Sequence, residues 1–197
     1  MKDFVKARLS ESADLMARLR DDLGARDLIV DVADVCVRAF SNGGKILLAG
    51  NGGSAADAQH LAAELVGRFA YHRPGLPAIA LTTDTSILTA VSNDYGFEHL
   101  FARQIQALGR TGDVFFAIST SGRSPNITQA LKAARAAGLI CVGFSGRDGG
   151  DLLQQCDYCF RIPDESTPRI QEGHKVIGHL VCEIIERSMF SAEPEAP

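Results

Sequence analysis

No stretch of this sequence approaches the ~18 consecutive apolar residues that a membrane-spanning helix needs, so no membrane partner is expected. Lys and Arg form no cluster, and the 197-residue chain carries a formal net charge of −4. Nucleic acid, whose phosphates demand a basic patch, is not an expected partner either. The first residues, Met1-Lys2-Asp3-Phe4-Val5-Lys6, lack the apolar core and small-residue cleavage site of a secretory leader, which points to the cytoplasm. The five cysteines (Cys36, Cys141, Cys156, Cys159, Cys182) are an odd number set mostly among apolar neighbours, which suits reduced core thiols better than a disulfide framework. Cys156 and Cys159 form a CxxC without a second Cys/His pair at zinc-site spacing, so the pair reads as structural. Internal repeats and low-complexity linkers are absent.

What is present is the composition of one globular domain: 46% hydrophobic and 22% charged residues. Five short apolar runs, Lys45–Gly50, Ala78–Thr82, Asp113–Ser119, Leu139–Phe144 and Asp157–Ile162, are bounded by Gly, Pro or Asp and read as buried strands. Between them, Ser54–Phe69, Phe97–Leu108 and Ser124–Ala137 carry apolar residues at helical spacing. This alternation implies an α/β fold, a three-layer α/β/α sandwich with parallel strands joined by crossover helices. Two helical stretches, Asp3–Leu23 and Ala25–Ser41, precede the first strand, and Ile170–Phe190 follows the last. These extra helices must bury an apolar face, and a second copy of the chain is the expected cover. Residues 1–190 are taken as one domain, with 1–42 used in oligomerisation and 191–197 as a disordered tail.

Two loops have the makings of anion or hydroxyl sites. Ser119-Thr120-Ser121-Gly122-Arg123-Ser124-Pro125-Asn126 lies where the third strand hands over to a helix, with Ser124 at the N-cap and Pro125 in the first helical position. Free backbone N–H groups and the positive end of the helix dipole would face a phosphate there, and four hydroxyls in six residues exceed what a cap requires. The turn Gly50-Asn51-Gly52-Gly53-Ser54-Ala55 formally fits the GxGxxG/A of dinucleotide sites. The acidic residue expected about 20 residues further on is misplaced, since Asp84 comes some ten residues later than that pattern asks. The glycines are better suited to bringing backbone amides close to a sugar hydroxyl or an enolate oxygen.

Proton chemistry has two candidate sources. His60 and Glu64, four residues apart, lie on one helix face and suit a metal or a proton relay. On the last helix Lys175 and His179 share a face, as do Gln171 and His174. Gln171 and His179 are separated by a rise of about 12 Å. If both serve one site, contributions from two subunits are expected.

Together GNGGSAADAQHLAAEL (50–65), RPGLPAIALTTD (73–84), NDYGFEHLF (93–101), STSGRSPN (119–126) and RIQEGH (169–174) followed by His179 resemble the sugar isomerase (SIS) family over roughly residues 40–190. The resemblance is strongest to the branch that converts sedoheptulose 7-phosphate to D-glycero-D-manno-heptose 7-phosphate, the first step of bacterial ADP/GDP-heptose biosynthesis. It implies a five-stranded parallel, flavodoxin-like sheet and a homotetramer with active sites between subunits. By resemblance, Asn51, Gly52, Gly53, Glu64, Asn93, Asp94, Ser119, Thr120, Ser121, Ser124 and Gln171 bind substrate, and Glu64 and His179 are catalytic. His60, Glu64, Gln171 and His179 correspond to the ligands of one zinc ion per subunit. A non-enzymatic adaptor of the same family, which binds a bacterial replication initiator, resembles the chain over the same loops. In that adaptor the base and the distal histidine are replaced, whereas this chain keeps Glu64 and His179.

Overall fold

Residues that alternate between two apolar surroundings make strands buried on both faces, and the three central apolar runs do so, whereas the two outer ones are only partly buried. The structure, a computed structural model, describes residues 1–190. The tail expected at 191–197 lies outside the described residues. The strands are β1 (Ile46–Gly50), β2 (Ala78–Ala80), β3 (Val114–Ile118), β4 (Ile140–Ser145) and β5 (Tyr158–Arg161), each within two residues of its expected ends. They pair parallel in the order β2-β1-β3-β4-β5, and β1 and β3 are buried along their whole length. Helices cover both faces, as an all-parallel sheet requires.

Successive residues along a strand enter opposite cores. Ile46 and Leu48 of β1 join Val114, Phe116, Val142 and Phe144 beneath α1 (Lys2–Asp21), α2 (Leu23–Ser41), α3 (Gly53–Val66) and α8 (Thr167–Met189). Leu47 and Ala49 join Phe115, Ala117 and Cys141 on the other side, against α5 (Leu100–Leu108), α6 (Pro125–Ala136) and α7 (Leu152–Gln155). The cysteines are all free thiols, and burial pushes Cys36 and Cys156 well above, and Cys141 and Cys182 to about 12 from, the ordinary thiol range.

Two helical expectations change. The stretch Phe97–Leu108 is not one helix: Phe97–His99 is a 3-10 turn that leads into α5. An eleven-residue helix, α4 (Thr85–Tyr95), stands where no helix was expected. Asp84, considered above as a ribose-binding acid, is its N-cap, with Oδ1 accepting a hydrogen bond from the Ile87 amide at 3.0 Å. α4 escapes a periodicity argument because it buries no residue within the chain and is rich in Thr, Ser, Asn and Asp.

α3 and α8 lie side by side and run in the same direction. Gln171 meets Gly53, Lys175 meets Asp57, Gly178 meets Leu61 and His179 meets His60. The missing side chain at Gly178 permits this approach, because an added Cβ would stand 2.7 Å from Leu61 Cδ2.

Candidate functional site

Open parallel sheets bind ligands beyond the carboxyl ends of their strands, where neighbouring crossovers leave in opposite directions. In the order β2-β1-β3-β4-β5 that place lies between β1 and β3. The two loops singled out in the sequence leave the sheet there. They are tied together by Asn51 and Asn126, whose amides donate to one another at 2.9 and 2.8 Å.

In the loop after β3, Ser119 Oγ lies 2.9 Å from Ser124 Oγ and 3.5 Å from Ser121 Oγ. Ser124 holds the N-cap position of α6 and Pro125 begins the helix, yet the Ser124 hydroxyl bonds Ser119 rather than the helix. The hydroxyls thus cluster at the positive end of the helix dipole, which favours an anion. Thr120 and Ser121 line a cavity of about 260 Å³ with Arg123, Arg147 and Asp148. Arg123 reaches Asp148 at 2.6 Å, and its hydrogen bond holds the Asp148 carboxyl below the usual range.

A second group forms between α3 and α8. His60 Nε2 and His179 Nε2 face each other at 2.6 Å, and Glu64 Oε1 lies 3.5 Å from His60 Nε2. All three side chains place a ligand atom within 4.8 Å of the others, so one chain brings together three of the four residues matched to metal ligands. Two imidazole nitrogens and a carboxylate oxygen form a donor set that suits a divalent ion with an open position. Partial burial, and then the neighbouring His60, lower the proton affinity of His179, while Glu64 acts in the opposite direction.

Gln171 stands two turns earlier on α8 and packs against Gly53, where an added Cβ would lie 2.5 Å from its Nε2. With Gly53, Asp57, Glu172 and Lys175 it lines a separate cavity of about 310 Å³. Gly52 is the N-cap of α3. Asp57 was not foreseen. It is buried one turn before His60, Lys175 Nζ lies 3.6 Å from its Oδ1, and its Oδ2 has no protein partner. Burial raises its pKa, against the pull of Lys175. Its three-residue spacing from His60 was the available signal.

Asn93 and Asp94 lie at the end of α4, exposed and hydrogen-bonded to each other at 2.8 Å. His174, the helix partner of Gln171, turns inward instead. It is buried, its Nε2 lies 3.1 Å from the Ser145 carbonyl oxygen, and its Nδ1 has no partner. Burial lowers its pKa to about 4.

A doubly wound α/β domain with a hydroxyl-lined anion loop at the switch point and a His/Glu/His group further along α3 and α8 defines a candidate small-molecule site on a flavodoxin-like scaffold. The chain belongs to the SIS domain family, whose pattern matches residues 9–146. It is 53% identical over 190 residues to phosphoheptose isomerases of Burkholderia pseudomallei (strain 1710b) and of Aneurinibacillus thermoaerophilus, covering 96% of this chain and of each relative. Among solved structures, a phosphoheptose isomerase from Neisseria gonorrhoeae superimposes with a TM-score of 0.88 at 43% identity, covering 94% of this chain and 98% of that one. One from Francisella tularensis gives 0.90 at 37%, covering 94% and 97%.

Proposed function

We infer that the chain is an aldose–ketose isomerase that converts sedoheptulose 7-phosphate to D-glycero-D-manno-heptose 7-phosphate through an enediol or enediolate. The observation that carries this reading is the convergence of Glu64 with His60 and His179 in a chain that also carries a hydroxyl-lined anion loop, the two brought to one substrate across a subunit interface. Near-full-length relatives that are phosphoheptose isomerases support it. Ser119, Thr120, Ser121 and Ser124 take the phosphate. Backbone amides of Asn51, Gly52 and Gly53 and the amide of Gln171 take sugar oxygens.

The reaction moves a carbonyl from carbon 2 to carbon 1. Glu64 removes the proton from carbon 1, and a proton is returned to carbon 2. When its ring nitrogen is not engaged by a metal, His179 accepts and returns the proton exchanged between the two oxygens. Zinc fits the donor set and would be held by His60, Glu64 and His179, with Gln171 joining only from another subunit. When bound it supplies Lewis-acid polarisation of the carbonyl. Glu64 has two carboxylate oxygens, so facing His60 with one leaves the other for the substrate proton.

The assembly is a homotetramer with sites between subunits, working in the cytoplasm. Apolar residues left exposed on α1 (Phe4, Val5, Leu9) support this, as does an apolar groove of about 530 Å³ that includes Met16, Ile29, Val176 and Leu180. Asn93 and Asp94, exposed on a helix with no buried residue, are free to meet substrate across such an interface. No helix among the described residues is long and apolar enough to cross a membrane. The adaptor reading is disfavoured because Glu64 and His179 are both present and face one another's helices. Incubation with sedoheptulose 7-phosphate followed by product identification tests the proposal; recovery of unchanged ketose would reject it.

A further inference from the structure

We infer that Arg73 and Glu186 are positioning residues for the proton-handling centre, clamping α3 to α8 so that Glu64, His60 and His179 keep their spacing. The inference rests on the isomerase reading for its kinetic consequence, but its geometry stands apart from it.

The last carbonyls of a helix have no partner within the helix. At the end of α3 a buried guanidinium takes several of them, the Leu65 carbonyl accepting the Leu76 amide as well. Arg73 Nη2 donates to the carbonyl of Glu64 itself at 2.8 Å, and Nη1 donates to those of Leu65 at 2.6 Å and Gly67 at 3.2 Å. Nε donates to Glu186 Oε1 at 3.0 Å. Glu186 lies two turns beyond His179 on α8, and its two oxygens also accept the amides of Phe69 and Ala70 at 2.8 and 2.7 Å. Tyr71 Oη adds a hydrogen bond to the Glu186 carbonyl at 3.2 Å. The segment 67–73 is therefore pinned at both ends to the two helices of the centre. Its Phe69 ring packs on His179 with centroids 5.8 Å apart.

Only 2% of the Arg73 side chain and 1% of that of Glu186 are exposed. A buried ion pair is rarely worth more to stability than apolar residues of the same volume, so stability alone is a weak reason for one. Beside the direct contacts between the two helices, this pair ties the C-terminal turn of α3, which carries Glu64, to α8 beyond His179. Arginine is specific to the task, since a lysine ammonium cannot present a planar fork to several carbonyls and a carboxylate together.

The test compares wild type with Arg73→Lys and with Glu186→Gln. For each, turnover of sedoheptulose 7-phosphate and zinc affinity by competition with a chelator are measured well below the unfolding temperature, and the thermal midpoint is recorded separately. Partners that orient metal ligands and catalytic groups typically matter by about 10–100-fold. The variants should therefore lose about tenfold or more in kcat and in zinc affinity, with KM within about threefold, because the phosphate loop lies elsewhere. A lowered midpoint with kcat and zinc affinity within about twofold of wild type would overturn the inference, leaving a merely structural pair. If Arg73→Lys fails to fold, Glu186→Gln is read by the same criteria. A wild type that binds zinc without isomerising the sugar would reject the isomerase reading, and zinc affinity alone would then decide on the clamp.

Discussion

Asn51 and Asn126 exchange a pair of amide hydrogen bonds, at 2.9 and 2.8 Å, that join the loop after β1 to the first turn of α6. The Asn51 side chain is thereby committed to Asn126, so the free hydrogen-bonding groups of this loop are those of its backbone. The pair braces the two loops that flank the switch point.

Asn126→Ala removes both bonds and leaves a half-buried amide unpaired, which costs about 1–3 kcal/mol. Urea unfolding should show a loss of that order, and KM for sedoheptulose 7-phosphate should rise. Unchanged stability and KM would mean that the loops are held by other contacts.

The hydroxyl cluster of Ser119, Ser121 and Ser124 is the proposed phosphate seat. Each hydrogen bond to a charged group contributes about 1.5–3 kcal/mol, so Ser121→Ala with Ser124→Ala should weaken sugar-phosphate binding by about a hundredfold or more. Calorimetric titration is the appropriate measurement. Equal affinity in the double variant would move the phosphate elsewhere.

His174 gives a pH dependence of defined sign. Its folded pKa is lowered from 6.5 to about 4 by burial, and its Nδ1 has no partner to receive a proton. Above pH 6.5 both folded and unfolded forms are neutral and this residue adds no slope. Between pH 6.5 and 4 the unfolded chain takes up the proton and the folded one does not. Stability should fall through that window by about 3 kcal/mol from this residue. Denaturation at several pH values should show a shallower acid slope in His174→Gln, and an identical slope would contradict the assignment.

The strands were legible because each appears as a short apolar run bounded by turn residues, most clearly the central three, which are buried on both faces. Both loops at the switch point were legible from their glycines and hydroxyls. The pairing of His60 with His179 was legible only through the family resemblance, since 119 residues separate them and nothing in either helix announces its neighbour. The eight-residue gap between Gln171 and His179 suggested two subunits, but the parallel packing of α3 and α8 closes the His/Glu/His group within one chain. α4 stayed hidden because only Leu88 and Val91 pack against the core and the rest of the helix is polar or exposed. Arg73 and Glu186 carry no local pattern, since a buried ion pair is defined by tertiary contacts alone.

The metal assignment has its own consequence. Protein prepared without added metal should retain zinc, chelation should lower its thermal midpoint, and restoring zinc should recover it, because a ligand that binds only the folded state stabilises it. In His60→Ala this response should be largely lost. A midpoint indifferent to chelator and zinc would remove the ion from the account.

The central claim is that Glu64 is the base of a sedoheptulose 7-phosphate isomerase. Its most direct measurement is product formation by Glu64→Gln, alongside binding of the same sugar phosphate. Turnover should fall by about 100-fold or more, as expected for loss of a general base, while binding through the serine loop persists. Wild-type turnover in that variant would contradict the account.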